Sequence, residues 1–343
     1  MRYLSSVRHG LRPAARVGAL TVAAVVGAAV AGPAGVAAAA GPASRADAAA
    51  NCGWSVNTLP LTADADFGEV RGSDGEQTFV GVSGDQPVRW RDGRVTVLGA
   101  AGAAQDVNRR GQAVGSAFSD GEHALMWRGT RETRLAEPAG FTSSAATAIN
   151  DAGLIVGYGS GPDGGARGLV WRADTPSQVR DLGPGAGALF LRDVNEDGVI
   201  LGVEESSDTF DLHAVAGTLD SGLQRLPGTT PDTTTDATGI AGRYAVGSDS
   251  AGPLRWFDGQ PQTLPGGGYP LAVNADGLAA GIDLTTFTPV LWTGATRVDL
   301  PGLAPDHSGA ASTVTDHGQV AGATTVIDQS GSGHSVPAVW TCR

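Results

Sequence analysis

The chain has 343 residues, a formal net charge of −12 and no lysine. A surface this acidic argues against nucleic acid or an anionic membrane as a partner. The 52 glycines favour many tight turns, and no segment has the pattern of a long helix.

The first 40 residues have the pattern of a secretory signal peptide. Arginines at positions 2, 8, 12 and 16 precede an apolar run over 17–31, and small residues near 38–40 offer a cleavage site. The run is too short and too rich in alanine for a membrane anchor. We therefore expect a secreted, extracellular protein without membrane insertion after cleavage, with residues 41–51 as a disordered linker.

Two alternatives to this processing stay open. A second set of small residues lies near 48–50, and Cys52 follows it as a candidate for lipidation. Asn51 argues against lipidation, because such cysteines usually follow a small residue.

From about residue 62 onward, one short sequence motif recurs seven times. Its plainest copy runs from Ala148 to Gly157, and the glycines that close the copies stand at 81, 115, 157, 202, 247, 281 and 322. A period near 40 residues with strand-like content is typical of a β-propeller or a similar array.

Each copy predicts four short strands, a to d. Strand a ends in a turn of the type Asn150 to Gly153, in which asparagine caps the backbone and glycine takes a positive φ. Strand b ends at the closing glycine, which permits close backbone approach. Strand c reaches a tryptophan at 90, 127, 171, 256, 292 and 340, and strand d ends in a leucine at 98, 135, 182, 226, 264 and 300.

The repeated tryptophans are interpreted as packing between adjacent blades. A row of exposed, sugar-stacking rings is the alternative, and it requires an exposed strand face. The fourth copy has Gly217 in place of tryptophan, so that blade is expected to pack differently.

The two ends of the repeat region predict a closed ring. The last copy stops at Arg343 without a strand d, and residues 54–60 end in the same Leu-Pro that closes other copies. The chain is therefore predicted to be all-β: a seven-bladed β-propeller of four-stranded antiparallel blades over 52–343, closed by an N-terminal strand that completes the last blade. Cys52 and Cys342, the two cysteines, flank this join and are expected to form a disulfide in an exported protein.

The phrase from His123 to Trp127 and the Asp-Leu-Gly of 181–183 resemble the extracellular HAF-repeat family. The resemblance covers most of residues 62–340, although no copy reads His-Ala-Phe. It implies an exported β-repeat protein with no established catalytic role.

No motif for a catalytic nucleophile, a cofactor or a metal stands out, so we expect neither a cofactor nor a metal. His123 and His213 recur at one repeat position, which favours a structural role, and the histidines near the C-terminus match no zinc spacing. Paired carboxylates from distant loops stay open as a catalytic alternative. Strand a offers Asp106, Asp193 and Asp236, but Ala148 and Ala272 interrupt such a ring.

The loops b to c and d to a vary most between copies, and they are expected to share one face. We therefore predict a non-catalytic, monomeric module that binds an extracellular glycan or protein through this face. One alternative is an extracellular propeller hydrolase or lyase with carboxylates converging near the axis, and another is a purely structural repeat protein. Six loop residues are the candidates for ligand contact, each with the alternative that it only plugs its own loop: Phe141, Phe190, Phe210, Tyr269, Phe287 and His307.

Overall fold

The computed structural model describes residues 45–118, 121–183, 187–304, 308–328 and 331–343. This part of the chain contains one short helix, α1 (Arg45–Ala50), and 28 strands that form seven four-stranded antiparallel sheets. The first strand, β1 (Trp54–Thr58), belongs to the last sheet. The predicted seven-bladed propeller is therefore confirmed.

Blades 1 to 3 follow each other along the chain. Their strands are β2 (Gly68–Ser73), β3 (Phe79–Ser83), β4 (Gln86–Arg91) and β5 (Arg94–Val97); β6 (Gly102–Val107), β7 (Gln112–Ala117), β8 (His123–Arg128) and β9 (Arg131–Arg134); β10 (Ser143–Ile149), β11 (Leu154–Ser160), β12 (Ala166–Arg172) and β13 (Val179–Asp181).

Blades 4 to 6 have the same strand order, and blade 7 takes its fourth strand from the N-terminus. Their strands are β14 (Gly187–Val194), β15 (Ile200–Ser206), β16 (Leu212–Thr218) and β17 (Gly222–Arg225); β18 (Thr235–Ala241), β19 (Tyr244–Asp249), β20 (Gly252–Phe257) and β21 (Gln260–Thr263); β22 (Tyr269–Val273), β23 (Leu278–Ile282), β24 (Pro289–Thr293) and β25 (Thr296–Asp299); β26 (Gly309–Val314), β27 (Val320–Ile327), β28 (Gly333–Cys342) and β1.

The first strand of each blade is the inner one. These strands contact each other in sequence around the ring, and β26 contacts β2 to close it. The closing strand β1 pairs antiparallel with β28, with Trp54 opposite Cys342. Cys52 and Cys342 form a disulfide with their Cα atoms 5.6 Å apart, as the sequence predicts.

The hydrophobic core is divided into seven clusters, one at each interface between neighbouring blades. In six of them a tryptophan of strand c packs against the leucine that follows strand d of the preceding blade, as Trp127 does against Leu98. The tryptophans are fully buried, which confirms the packing interpretation. The cluster between blades 3 and 4 has no tryptophan.

Five of these tryptophans also donate their indole N–H to the preceding blade. The acceptor is the carbonyl after the packed leucine, at 2.6–2.9 Å: Pro60, Ala136, Pro227, Pro265 and Pro301. Trp127 is the exception among the described residues, because its buried N–H has no partner. Packing and hydrogen bonding together hold each blade against its neighbour.

The closing glycines lie opposite an irregularity that all seven inner strands share. Each inner strand has a bulge of one residue, and the glycine of strand b pairs with the residue before it. A Cβ added to any of these glycines would lie 1.9–2.8 Å from a carbonyl oxygen of the inner strand. The close backbone approach predicted from the sequence is confirmed, and a larger residue would push the two strands apart.

The turn asparagines join the blades as well as capping their own turns. The Asn108 side-chain oxygen accepts the backbone N–H of Arg110 at 3.1 Å, as expected for this turn. Its amide nitrogen donates to the Asn150 carbonyl of the next blade, and Asn150 donates in the same way to Asn195. This second role is absent from the sequence-based prediction.

Helix α1 lies within the segment that the sequence places in a disordered linker. Ala49 is buried in the cluster between blades 6 and 7, and its carbonyl accepts the indole N–H of Trp54 at 3.1 Å. Residues 45–50 are therefore helical instead of disordered. The contacts of Ala49 extend the interface between blades 6 and 7 to the residues before the disulfide.

Candidate functional site

The two faces of the disc differ in their apolar surface. Because strands a to d alternate in direction, the b–c loops and the d–a crossovers share one face, which we call the loop face. Seven of the eight exposed large apolar side chains in the described ranges lie there: Phe67, Phe118, Phe210, Leu284, Phe287, Leu303 and Ile327. The eighth, Val97, lies on the outer strand β5. Exposed apolar side chains on one face are typical of an interaction surface where they form a contiguous patch.

Two loops of this face have the same backbone fold. In blade 4, the loop over 206–211 is closed by hydrogen bonds from Ser206 N–H to Asp211 and from Phe210 N–H to Ser206. In blade 6, the loop over 283–288 has the same two bonds at the equivalent positions. Phe210 and Phe287 occupy the same place, with 73% and 50% of their surface exposed.

Both phenylalanines have a left-handed backbone. Their φ angles are 59° and 57°, and the other non-glycine residues with positive φ in the described ranges are all aspartates. Aspartate tolerates this region, whereas phenylalanine pays about 1–2 kcal/mol for it. Asparagine or glycine would relieve the strain, so two exposed, strained phenylalanines indicate a role other than stability.

Asp283 anchors the blade 6 loop from inside. Its carboxylate accepts the backbone N–H groups of Thr285 at 2.6 Å and Thr286 at 2.9 Å. It also forms an ion pair with Arg297 at 2.5 Å. The N–H of Thr286, together with the Arg297 guanidinium and the N–H of Thr285, lowers the pKa of Asp283 to about 2 against the effect of burial. A charged anchor therefore holds Phe287 in its exposed position.

The structure separates the six sequence-based candidates. Phe210 and Phe287 are exposed on the loop face, as a ligand-contact role requires. His307 lies outside the described residues. Phe210 and Phe287 each follow a threonine in the sequence, but this pair does not indicate exposure, because Phe79 also follows a threonine and is buried.

The other three candidates pack within the fold. Phe141 packs against the cluster between blades 2 and 3, with the Arg167 guanidinium 5.9 Å from its ring centre. Phe190 makes an edge contact with Tyr158, with ring centres 5.3 Å apart. The Tyr269 hydroxyl donates to the carboxylate of Asp236, and burial and that charge raise its pKa above the usual range. The contacts of these three rings therefore favour the alternative that they pack within the fold instead of contacting a ligand.

A polar channel of about 280 Å³ runs along the axis. The residues that line it include the seven bulge residues of the inner strands: Arg71, Gln105, Thr147, Arg192, Thr238, Leu271 and Ser312. Asp106 and Asp193 line it toward the a–b turns. The sequence-based prediction includes both aspartates but not the bulges.

Both channel aspartates serve the backbone of the next blade. Asp106 accepts the N–H of Ile149 at 2.9 Å, and Asp193 accepts the N–H of Ile240 at 2.7 Å. Burial raises the pKa of both carboxyl groups, and the charge of Asp193 raises the pKa of Asp106 further. The two groups therefore have a structural function at the blade interfaces that needs no substrate.

No group of three histidine, cysteine, aspartate or glutamate side chains within the described part of the chain is arranged to hold a metal ion. His123, predicted to be structural, is buried and contacts Glu137 at 2.8 Å through Nδ1. That contact ties the start of β8 to the following crossover.

Comparisons with family models and with curated protein sequences give no match. Among solved structures, a puromycin hydrolase mutant in complex with PGG is similar, with a TM-score of 0.53 and 15% identity over 86% of this chain and 55% of that chain. The same hydrolase without the mutation has a TM-score of 0.52 at 15% identity, over 83% and 52% of the two chains. This chain therefore spans about half the length of those hydrolases. A gluconolactonase from Xanthomonas campestris has a TM-score of 0.44 at 17% identity, over 74% of this chain and 91% of that one. At 15% identity, the likeness to the puromycin hydrolases shows the propeller fold alone.

Proposed function

We propose that this protein is a non-catalytic binding module that acts outside the cell and holds a protein partner on its loop face. The observation that carries the proposal is the gathering of seven exposed large apolar side chains on this one face. Phe210 and Phe287 are its principal contacts, because both are exposed and both keep a strained backbone.

The composition of the face favours a protein over a glycan. A sugar offers a small apolar patch framed by hydroxyl groups, so it suits an isolated aromatic ring with polar neighbours. Leu284, Leu303 and Ile327 add aliphatic side chains to the same face. A mixed aromatic and aliphatic surface matches the buried centre of protein–protein interfaces.

Export is part of the proposal, as is the sequence-based resemblance to the extracellular HAF repeats. The Cys52–Cys342 disulfide supports an oxidising compartment. In the described ranges, no helix has the length and apolarity needed to cross a membrane.

A catalytic role for the axis receives less support. Asp106 and Asp193 do line a channel, but each is engaged by a backbone N–H of the neighbouring blade. These hydrogen bonds account for both carboxylates without a catalytic role.

A paired screen tests the proposal. The exported protein, the Phe210→Asn/Phe287→Asn variant and a Val97→Ala control are applied to arrays of extracellular protein fragments and of glycans. We expect a protein ligand that the control retains and the double variant loses. Ligands found on the glycan array only would contradict the partner class, and ligands retained by all three proteins would contradict the face. Turnover of an ester, lactone or polysaccharide that Asp193→Asn abolishes would contradict the non-catalytic role.

A further inference from the structure

The interface between blades 3 and 4 differs from the other six. Strand register places Gly217 where the other blades have tryptophan, because Gly217 pairs with Ile200 just as Trp171 pairs with Ile155. Backbone geometry prevents a simple replacement, since a Cβ at Gly217 would lie 2.0 Å from the Gly222 carbonyl oxygen. The chain therefore cannot fill this interface from the usual position.

A pocket of about 320 Å³ opens at this interface. Its apolar wall combines the leucine at the end of blade 3 with side chains of blade 4: Leu182, Leu189, Val215, Leu219 and Leu223. Val215 lies two residues before Gly217, and Leu223 pairs directly with Gly217 in the sheet. The volume is at the lower end of the roughly 300–1,000 Å³ found for small-molecule sites.

The missing tryptophan also removes an indole N–H, and the sequence position of the carbonyl that would accept it follows from the other blades. At five other interfaces, the indole N–H donates to the carbonyl of the residue after the packed leucine, as Trp171 does to Ala136. The equivalent residue of blade 3 is Gly183, which follows Leu182. Among the described residues, no side chain donates to its carbonyl.

We propose that this pocket binds a small, flat aromatic molecule that carries an N–H donor, such as an indole, in the place that tryptophan fills at the other blade interfaces. Leu182, Val215 and Leu223 would contact the two ring faces, and the Gly183 carbonyl would accept the N–H. The site lies between two blades and is separate from the loop face, so it does not depend on the function proposed above.

The test is a calorimetric titration of the full exported protein with indole. We expect one saturable site, and about tenfold weaker binding of N-methylindole, because one hydrogen bond of ordinary strength is lost. Leu223→Trp should fill the pocket, weaken indole binding at least about tenfold and raise the melting temperature. Val95→Trp is the matched control, since Val95 faces Trp90 in the register that Leu223 has with Gly217; it should leave indole binding unchanged.

Leu219→Asp provides a second variant at the half-buried rim, should Leu223→Trp fail to fold. Absence of saturable indole binding would overturn the proposal, and so would binding that neither variant weakens. Equal affinity for N-methylindole would overturn the role of the Gly183 carbonyl. Tighter binding of a blocked tryptophan peptide than of indole would overturn the assignment to a small molecule and point to a partner chain.

Discussion

Phe210 and Phe287 occupy the same position in two loops of blades 4 and 6 that share the same pair of backbone hydrogen bonds. Both have a positive φ and both are exposed. A loop of this shape favours asparagine or glycine at that position. Its repetition with phenylalanine, at a cost to stability, supports the assignment of binding to the loop face beside the exposed apolar side chains.

The tryptophans offer a matched pair for measuring the hydrogen bond between blades. Trp171→Phe removes an N–H that donates to the Ala136 carbonyl, whereas Trp127→Phe removes an N–H without a partner. We expect the first variant to lose about 1 kcal/mol more free energy of unfolding than the second. Denaturant unfolding of both variants measures the difference. Equal losses would show that packing, not the hydrogen bond, joins these blades.

Two variants of Asp193 test whether its carboxylate has a structural role as a hydrogen-bond acceptor. Asp193→Ala leaves the Ile240 N–H without its acceptor and should cost about 1–3 kcal/mol. Asp193→Asn keeps an acceptor and should stay within about 1 kcal/mol of the wild type at pH 7. An Asn variant as unstable as the Ala variant would contradict the proposed hydrogen-bond role.

The pH dependence of Asp193 has a definite sign. Because burial raises its pKa, the folded protein keeps this proton to a higher pH than the unfolded chain does. Its stabilising contribution is therefore full below the ordinary pKa of 3.8 and is lost as pH rises through the raised value. The stability of the wild type relative to Asp193→Asn should decrease over that window in denaturant titrations, and an increase would contradict the burial argument.

Asp283 should respond in the opposite direction. Its folded pKa is lowered to about 2, first by the Thr286 N–H and then by Arg297 and the Thr285 N–H. Its contribution is present above the ordinary value of 3.8 and is lost as pH falls through about 2. Hydrogen exchange of the Thr285 and Thr286 amides should therefore accelerate in Asp283→Ala at pH 7. Unchanged exchange at these two amides would show that the loop needs no charged anchor.

The disulfide should matter for ring closure more than for any single blade. Replacing Cys52 and Cys342 by serine frees β1 from its covalent join, with a chain separation of 290 residues between the two cysteines. We expect a loss of about 2–5 kcal/mol in the free energy of unfolding. Fast hydrogen exchange should appear first along β1 and β28. Uniform acceleration in all blades would contradict a local role at the join.

Much of the fold was predictable because each repeat carries its own local chemistry. The Asn-to-Gly turns recur in four blades, the tryptophans in six and the closing glycines in all seven, and each depends on a few neighbouring residues. Ring closure was predictable for a different reason, since residues 54–60 supply the strand that the last copy lacks. Local consistency of this kind is what allows a repeat sequence to specify its blade.

The candidate site was harder to predict from the sequence. Whether an aromatic side chain is exposed depends on its contacts with the neighbouring blade, and not on its own repeat alone. Phe190 and Tyr269 look like Phe210 in the sequence, but they lie on inner strands, where the neighbouring blade supplies Tyr158 and Asp236 as partners. The pocket beside Gly217 also arises from contacts between blades. No single repeat contains both sides of those contacts.

The account is tested most directly by one binding isotherm, that of the array-selected protein ligand with Phe210→Asn/Phe287→Asn, read beside the unfolding curve of the same variant. We predict at least about tenfold weaker binding, a loss of about 1.4 kcal/mol, together with equal or higher stability because the left-handed strain is relieved. Unchanged affinity combined with lower stability would contradict the account, because the two phenylalanines would then hold their loops in place instead of contacting a partner.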